Sequence, residues 1–210
     1  MRRTITLVCV FLLAFAAGCT DKTNGTASPS ANSSNQSSSP SSSSEGVPGP
    51  SVPRVETPLD ISHFQQTPCD SLTSSESQEL LGRDVIAKPV VDDPAGPTCN
   101  WDVPAVSQAG VGVTYFKKTQ LGLTGVYQSK GTVYPFFEPL EPIDGYPTVA
   151  FGTVDERNTK GRCLLALGTS DTQQVDISVS LSEGNIGKKD PCTAAHDVAA
   201  KVLKNLRKVN

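Results

Sequence analysis

This 210-residue chain contains six cysteines, which could form disulfides, bind a metal or react as thiols. Their spacing limits which of these roles they can have. Four of them are spread over the later part of the chain, at Cys69, Cys99, Cys163 and Cys192. No pair among these four has the C-x-x-C spacing that structural zinc sites favour. An even number of cysteines in an exported domain predicts two disulfides, with three pairings open. We therefore expect two disulfides and no metal site.

Cys19 has the surroundings of an attachment point. Arg2 and Arg3 precede the apolar run 5–17, and small residues occupy the positions directly before the cysteine. The run is shorter than the roughly 20 apolar residues of a membrane helix, so residues 1–18 are predicted to be a secretory signal peptide. Its end resembles the bacterial lipobox, whose cysteine is acylated and becomes the new N-terminus. We expect acyl chains such as palmitate to hold Cys19 at the outer face of the cell membrane. Ordinary secretion with a spare Cys19 thiol is the alternative.

The composition changes after Cys19 and again near Leu59. Residues 19–57 carry few apolar side chains, with serine dominant first and proline and glycine at the end. Such a segment buries too little apolar surface to offset its ordering entropy, so we expect a disordered tether. Residues 58–210 are long enough for one globular domain. The net charge of −3 and the lack of a basic stripe argue against nucleic acid as a partner.

Catalytic side chains are scarce in this sequence. The two histidines, His63 and His196, belong to no catalytic motif, and G-x-S-x-G, H-E-x-x-H and P-loop patterns do not occur. The adjacent acids at 92–93 and 155–156 are typical of solvated turns. We therefore expect no catalytic residue and no cofactor, with a hydrolase as the remaining enzymatic alternative.

Helical and strand periodicities predict an α+β domain. In chain order the segments are helix 67–82, a polar loop 89–97, strands 98–105 and 110–116, a weak helix 121–131, strands 146–154, 161–168 and 174–181, and helix 190–209. Thr67 is expected to cap the first helix, and Thr73 with Glu76 forms a second start signal, a capping box. Asp190 is expected to cap the last helix, which carries an apolar stripe. The prediction is a mainly antiparallel sheet with an N-terminal and a C-terminal helix packed on it.

The predicted layout favours one disulfide pairing. If strands 161–168 and 174–181 form a hairpin, Cys163 lies near the end of the last strand, and a short loop then delivers Cys192 in the first turn of the final helix. That geometry favours Cys163 with Cys192 and leaves Cys69 with Cys99. Each bridge closes a loop, and in the chain-entropy model this closure stabilises the folded state by about 3 kcal/mol. Trp101 is expected to pack over the Cys69–Cys99 bridge.

One aromatic segment, residues 132–147, suggests a binding surface. It contains Tyr134, Phe136, Phe137 and Tyr146 among prolines and acids. One hypothesis is an exposed edge that receives an extended partner or an apolar ligand. The alternative is that the aromatics face the core and the prolines mark an edge strand.

The order of several motifs resembles an actinobacterial lipoprotein family. These motifs are LDISHFQQTPCDSLT, CNW, DGYPTVAF, the Cys163 strand and DPCTAAHDVAAKVLKNL. The resemblance is to the family called domain of unknown function 3558, which includes mycobacterial Lpr-type surface lipoproteins, and it runs from Leu59 to Leu206. It implies an envelope location and an α+β sheet with flanking helices, and it transfers no catalytic residue. We therefore expect a non-enzymatic envelope module that binds a protein partner, or alternatively a carrier of a lipid or other apolar small molecule.

Overall fold

The computed structural model describes residues 46–117 and 120–210. The strands are β1 (Ile86–Val90), β2 (Thr98–Asp102), β3 (Gly110–Tyr115), β4 (Phe136–Ile143), β5 (Tyr146–Gly152), β6 (Arg162–Ser170) and β7 (Gln173–Ser180). The helices are α1 (Ser62–Gln66), α2 (Ser74–Leu81), α3 (Leu123–Gln128), α4 (Arg157–Lys160) and α5 (Pro191–Val209), with 3-10 turns at Pro68–Ser71 and Glu183–Asn185. No helix in these ranges is both long and apolar enough to cross a membrane. The predicted signal peptide, Cys19 and most of the predicted tether lie outside the described residues.

All seven strands form one sheet in the order β1-β2-β3-β7-β6-β5-β4. Every neighbouring pair is antiparallel, including the β6–β7 hairpin in which Cys163 lies opposite Val179. Because side chains alternate along a strand, successive residues of each strand point to opposite faces of the sheet. The predicted α+β class, with a mainly antiparallel sheet and a C-terminal helix on it, is confirmed.

Helix α5 packs on one face of the sheet and forms the main core with it. The carboxylate of Asp190 accepts hydrogen bonds from the backbone N–H groups of Cys192 (2.6 Å) and Thr193 (3.1 Å), which satisfies two otherwise unpaired donors. The apolar stripe of α5 is buried at Ala195, Val198, Ala199, Val202, Leu203 and Leu206. It meets Leu165, Ile177 and Val113, none of which is exposed. The predicted cap and stripe are therefore both present.

The predicted helix 67–82 is divided into two pieces. Thr73 and Glu76 form the capping box, since the Thr73 hydroxyl accepts from Glu76 N and the Glu76 carboxylate accepts from Thr73 N. The Thr67 hydroxyl instead donates to the carbonyl of His63, so its predicted role as a helix cap is wrong. Leu72 between the two pieces is extended and buried, because its side chain fills the core there.

Both favoured disulfides are present. Cys69 joins Cys99 with a Cα–Cα distance of 5.0 Å, and Cys163 joins Cys192 at 5.1 Å. The first bridge ties the 3-10 turn to β2, and the second ties the start of α5 to β6. Trp101 is buried in the same core cluster as Cys99, as its predicted packing role requires.

Strand β1 differs from the prediction of a polar loop over 89–97. Its five residues are all exposed, and it is held by antiparallel pairing with β2, where Pro89 lies opposite Cys99. An exposed edge strand needs no alternation of apolar side chains, because backbone hydrogen bonds to its single neighbour define it. The local sequence pattern therefore did not reveal it.

The second face of the sheet is covered in part by α3 and by residues 46–57. Leu123 and Val126 of α3 pack with Val149, Phe151 and Ala166 in a smaller apolar cluster. The N–H of Gly49 donates to the Thr124 hydroxyl (3.0 Å) at the same place. This cluster explains why β5 and β6 read as buried strands on both faces.

Residues 49–57 form a strap along the domain, although the sequence predicted a disordered tether as far as residue 57. The backbone N–H of Val55 donates to Asp171 Oδ1 (2.9 Å), and the carbonyl of Thr57 accepts from the Tyr146 hydroxyl (2.8 Å). Val55 itself is 6% exposed within the main core. The predicted boundary at residue 58 is therefore too late. One apolar residue and specific acceptors are enough to fix a segment whose average composition favours disorder.

A buried carboxyl group lies on the second face of the sheet, away from α5. Asp176 faces Thr114 of β3 and Ala166 of β6 in the register, and its Oδ1 accepts from Gln174 Nε2 (2.8 Å). Burial disfavours the charged form and raises the pKa of Asp176 from its ordinary value of 3.8 to about 7. Gln174 Oε1 accepts no hydrogen bond from the described residues. Ionisation of Asp176 as the pH rises therefore lowers the stability of the folded domain.

Removing the strap is expected to destabilise the domain. We expect a chain shortened to residues 58–210 to lose about 1–3 kcal/mol of unfolding free energy relative to 46–210, because a buried valine and its hydrogen bonds are lost. Val55→Ala should reproduce part of this loss, whereas Glu56→Ala, at an exposed neighbouring position, should not. Urea unfolding followed by tryptophan fluorescence measures each value. Equal stability of the two chain lengths would show that the strap contributes nothing.

The Asp176→Asn variant should change how stability depends on pH. A folded-state pKa of about 7, above the ordinary 3.8, means that the native state holds a proton which the unfolded state has released between these values, so stability falls as pH rises through this window. We expect Asp176→Asn to be more stable than the wild type by at least about 1 kcal/mol at pH 8, since each pKa unit corresponds to about 1.4 kcal/mol. The gain should shrink at pH 5. Unfolding titrations at the two pH values test this, and a gain independent of pH would contradict the burial argument.

Candidate functional site

A groove lies between α2 and α5, and we call it the α2–α5 groove. Its volume is about 880 Å³. The apolar side chains that line it are Leu80, Leu81, Val106, Ala109, Val111, Val179, Leu181, Ala194, Val198 and Ala200. The volume is within the range of about 300–1,000 Å³ that is typical of ligand sites.

Helix α5 supplies the longest wall of the α2–α5 groove. Ala194, Asp197, Val198, Lys201 and Lys204 line it at spacings of three and four residues, which place them on one side of a helix. At 1.5 Å of rise per residue, the wall from Ala194 to Lys204 is about 15 Å long. The groove therefore follows about three turns of α5, next to the stripe that packs on the sheet.

The end of the groove near the C-terminus of α5 is tied by buried hydrogen bonds. Asn205, which is 5% exposed, donates through Nδ2 to the carbonyl of Ser71 (3.0 Å) and to Glu76 Oε2 (2.7 Å). Partial burial opposes ionisation of Glu76, but hydrogen bonds from Thr73 N and Asn205 hold the pKa of its carboxyl group below the ordinary value. Asn205 thus fixes the spacing of α2 and α5 at this end.

An ion pair joins the two helices along the groove. Lys201 Nζ on α5 lies 2.8 Å from Glu79 Oε2 on α2, with the Glu79 side chain 68% exposed and that of Lys201 25% exposed. Pairs this exposed contribute little to stability, because water screens them and both side chains must be ordered. The pair can therefore open at low cost, unlike the contact made by Asn205.

The wall opposite the helices comes from the loop between β2 and β3. Val106 in this loop lines the groove and is 40% exposed. The loop is held in place where Ser107 Oγ donates to Glu183 Oε1 (3.0 Å). An apolar side chain at this exposure is accessible to anything that enters the groove.

Charged side chains of both signs line the groove. Among the described residues, Lys189, Lys204 and Asp197 line the groove and take part in no ion pair with one another or with other side chains. Lys201 is already engaged by Glu79. Glu76 also lines the groove and makes hydrogen bonds but no ion pair, so the lining carries three acids and three lysines in all.

A smaller recess of about 260 Å³ brings His196 and several acids together. His196 Nε2 lies 2.8 Å from the carbonyl oxygen of Glu141, to which it can donate. Hydrogen bonding with Asp155 raises the pKa of Arg157, which also pairs with Glu138 (2.8 Å). Cys192 in this recess is held in a disulfide. In this recess the one contact of the His196 ring is therefore with a backbone carbonyl, and its cysteine is not a free thiol.

The other titratable residues singled out from the sequence contact nearby polar side chains, and the Thr67 hydroxyl lies 3.2 Å from His63 Nε2. His63 lies 3.0 Å from Asp70 Oδ2 at an exposed position on α1. Within the described residues, no three His, Cys, Asp or Glu side chains converge where a metal ion could bind. The acids at 155–156 make ion pairs with Arg157 and Lys160.

The aromatic segment 132–147 packs inward to a greater extent than a free binding edge would. Tyr134 meets Phe151 with ring centroids 4.7 Å apart, and Phe137 meets Tyr127 at 4.9 Å. The guanidinium of Arg157 covers the ring of Phe136 at 4.5 Å. These three aromatics of the segment are half-buried and support the packing alternative.

Tyr146 is a correction to the predicted binding edge. It is 5% exposed and its hydroxyl donates to the strap, so it belongs to the core. β4 is indeed an edge strand, paired only with β5 and carrying Pro139 within that pairing. A proline on an edge removes a donor that an added strand would need, which weakens the strand-addition hypothesis.

The sequence did not reveal the α2–α5 groove. Its lining comes from two helices, two strands and the two connections that precede β3 and α5, which are distant along the chain. The only local signal was the spacing of Asp197, Lys201 and Lys204 beside the apolar stripe of α5. That pattern is typical of any solvated helix, so it did not distinguish a groove from an open surface.

Comparison with known proteins places the chain in a family without giving a function. No curated protein and no solved structure matches it. One family model matches over residues 14–205, which is most of the chain. The chain therefore belongs to DUF3558, a family of proteins of unknown function.

Proposed function

We propose that this protein is a non-enzymatic lipoprotein of the cell envelope whose domain is an extracytoplasmic binding module, with the α2–α5 groove as its binding site. The observation that carries the proposal is the groove itself, with its apolar lining, its exposed Val106 and its charged rim. Concave sites of this size with a few polar groups are where proteins bind ligands and partners. The rest of the space between sheet and helix is filled by the main core.

The envelope part of the proposal rests on the sequence. The lipobox-like end of residues 1–18 predicts acylation of Cys19, and the resemblance to actinobacterial lipoproteins agrees with it. Two disulfides in the domain are consistent with folding in an oxidising compartment. The residues between Cys19 and the strap would then connect the membrane anchor to the domain.

The non-enzymatic part rests on the arrangement of the polar residues. The acids and the arginine of the His196 recess are already engaged with one another, and both pairs of domain cysteines are oxidised. A nucleophile with an adjacent oriented base is the usual signature of covalent catalysis. The Thr67 hydroxyl does lie 3.2 Å from His63 Nε2, but Asp70 contacts the same ring nitrogen and therefore does not orient the ring for that hydroxyl. Binding without turnover fits these residues better.

A second candidate function is carriage of a lipid or other apolar small molecule. The volume of about 880 Å³ favours it, since this is large enough for such a ligand. Against it, a carrier usually encloses most of the surface of its ligand, whereas the α2–α5 groove is open along one side. The two candidates predict different masses bound to the protein.

The anchor is tested by the Cys19→Ser variant. We expect the wild-type protein to partition into the detergent phase of a membrane extract, and Cys19→Ser to lose this partitioning because acyl chains can no longer attach. Cys9→Ser, within the predicted signal peptide, is the matched control and should behave as the wild type. Mass spectrometry of the mature N-terminal peptide measures the acyl chains. Detergent partitioning of Cys19→Ser would contradict the proposed attachment.

The groove is tested by photo-crosslinking in intact cells of the native organism. A photoreactive phenylalanine analogue in place of Val106 should yield a defined protein adduct, because this side chain is exposed within the groove wall. The same analogue in place of Val154, which is 64% exposed and outside the groove, should not yield that adduct. Native mass spectrometry of the purified protein tests the carrier alternative in parallel. A co-purifying lipid mass would favour the carrier. The absence of both a protein adduct and a bound mass would contradict binding at the groove.

A further inference from the structure

We propose that the second face of the sheet carries a carbohydrate site, at which a neutral oligosaccharide binds across β2, β3, β7 and β6. The site is a row of residues that lie opposite one another in the sheet, and we call it the polar strip: Asn100, Gly112, Ser178 and Leu164. It lies on the face away from α5, so it is separate from the α2–α5 groove and does not rest on the function proposed there. Its openness, its unpaired hydrogen-bonding groups and the pairing of the charges beside it carry the proposal.

The polar strip is open although it crosses the middle of the sheet. β7 is the central strand of the seven, and Ser178 is exposed there while its neighbours Ile177 and Val179 are buried on the α5 face. Asn100 and Leu164, at the two ends of the strip, are half-buried. Neighbouring strands lie about 4.8 Å apart, so the strip is about 14 Å long from β2 to β6. A ligand of that length can lie across the strands.

Gly112 allows two polar side chains to come together over β3. A Cβ atom at this position would lie 2.5 Å from Ser178 Oγ and 3.1 Å from Asn100 Oδ1, so the two oxygens occupy the space that a side chain would fill. Thr98 and Thr114 on the next row satisfy each other through their hydroxyls (2.9 Å), whereas the Asn100 amide and the Ser178 hydroxyl have no hydrogen-bond partner among the described residues. An amide and a hydroxyl both donate and accept, which matches the hydroxyl groups of a sugar.

The charged side chains beside the polar strip are already paired. Lys88 Nζ, at the β1 end of the row, lies 3.6 Å from Asp102 Oδ2, and Arg162 Nη1 on β6 lies 4.0 Å from Glu156 Oε2. Asp176 on the next row is 7% exposed, so a ligand has little access to it. A charged ligand would lose hydration on the strip and would meet no opposite charge that is free. The strip therefore favours a neutral ligand.

Leu164 gives the strip an apolar surface at its β6 end. It packs on the smaller apolar cluster with Phe137 and Tyr127 and stays half-buried. A sugar ring carries C–H groups on its faces and hydroxyl groups around its rim. One ring can therefore rest on Leu164 while the next ones hydrogen-bond to Ser178 and Asn100. A wholly apolar ligand would instead cover these two polar groups and leave them without partners, which is unfavourable.

The strands beneath the polar strip argue against a protein partner there. β3 pairs with β2 and β7, and β7 pairs with β3 and β6, so neither strand offers a free edge to an extended peptide. The four residues of the strip include no exposed aromatic or large apolar side chain of the kind that anchors a protein interface. A hydroxyl-rich ligand needs neither feature.

The experiment uses the full chain carrying Cys19→Ser, oxidised and purified without detergent. It is run at about pH 6, because Asp176 with its pKa of about 7 is then mostly uncharged. The probes are four hexasaccharides: neutral cellohexaose and maltohexaose, anionic hexagalacturonate and cationic hexaglucosamine. Titrations followed by ¹H–¹⁵N NMR give each Kd and the residues whose signals shift. We expect a neutral probe to bind with a Kd at least about ten-fold lower than that of either charged probe, with the shifts centred on Asn100, Gly112 and Ser178.

A lysine placed across the strip should block it. We expect Ser178→Lys to raise the Kd of the neutral probe at least about ten-fold, and the fold should be retained because this position is exposed. Ser74→Lys, at an exposed position of α2, is the matched control and should bind as the wild type does. Asn100→Ala should also weaken binding, since it removes an amide partner without adding charge. Urea unfolding checks that each variant keeps the stability of the wild type.

Four results would overturn the proposal. These are no binding of either neutral probe, binding of a charged probe at equal or higher affinity, binding of the neutral probe that Ser178→Lys leaves unchanged, and shifts centred on the α2–α5 groove instead of the strip. The photo-crosslinking at Val106 reports on the groove alone, which lies on the other face. Failure of the polar strip would therefore leave the proposed function standing, and failure of the groove would leave the polar strip standing.

Discussion

The packing of α5 on the sheet determines the other features of this domain. Val202, Leu203 and Leu206 are fully buried against the sheet, and burying each such side chain contributes about 1.5–3 kcal/mol. The Cys163–Cys192 bridge fixes the first turn of the helix on β6, and Asn205 fixes its last turns to the α2 region. With both ends held, the side of α5 next to the packed stripe must lie beside α2, and the α2–α5 groove is the space left between them.

The two faces of the sheet are covered to different extents. One face has a continuous cover of helix, whereas the other is covered by the short α3 and the strap, and it retains polar residues such as Thr114 and Asp176. The strap contributes to this cover through Val52, which packs on the smaller cluster, and Gly49, which bonds to Thr124 of α3, whereas its Val55 enters the main core on the α5 face. The point at which a tether becomes part of the domain is thus set by individual contacts rather than by composition.

Regular local patterns in the sequence identified most elements of the fold. Three local patterns agree with the structure: the alternation of β7, the stripe and cap of α5, and the capping box of α2. The disulfide pairs followed because the hairpin places Cys163 beside the start of α5. β1 and the strap were missed, since each depends on a neighbour distant in the chain, whereas the inward packing of Tyr146 was one of the two alternatives for its segment. The α2–α5 groove was missed for the same reason.

The side chains around the groove leave a space beside them that no other side chain fills. Leu80 and Leu81 are half-buried and Val106 is 40% exposed, yet the small Ala194 and Ala200 of α5 do not fill the space beside them. Larger apolar side chains at these alanines would close the gap and bury more of α2, so stability alone would favour them. A fold that leaves this gap is consistent with the gap being used for binding.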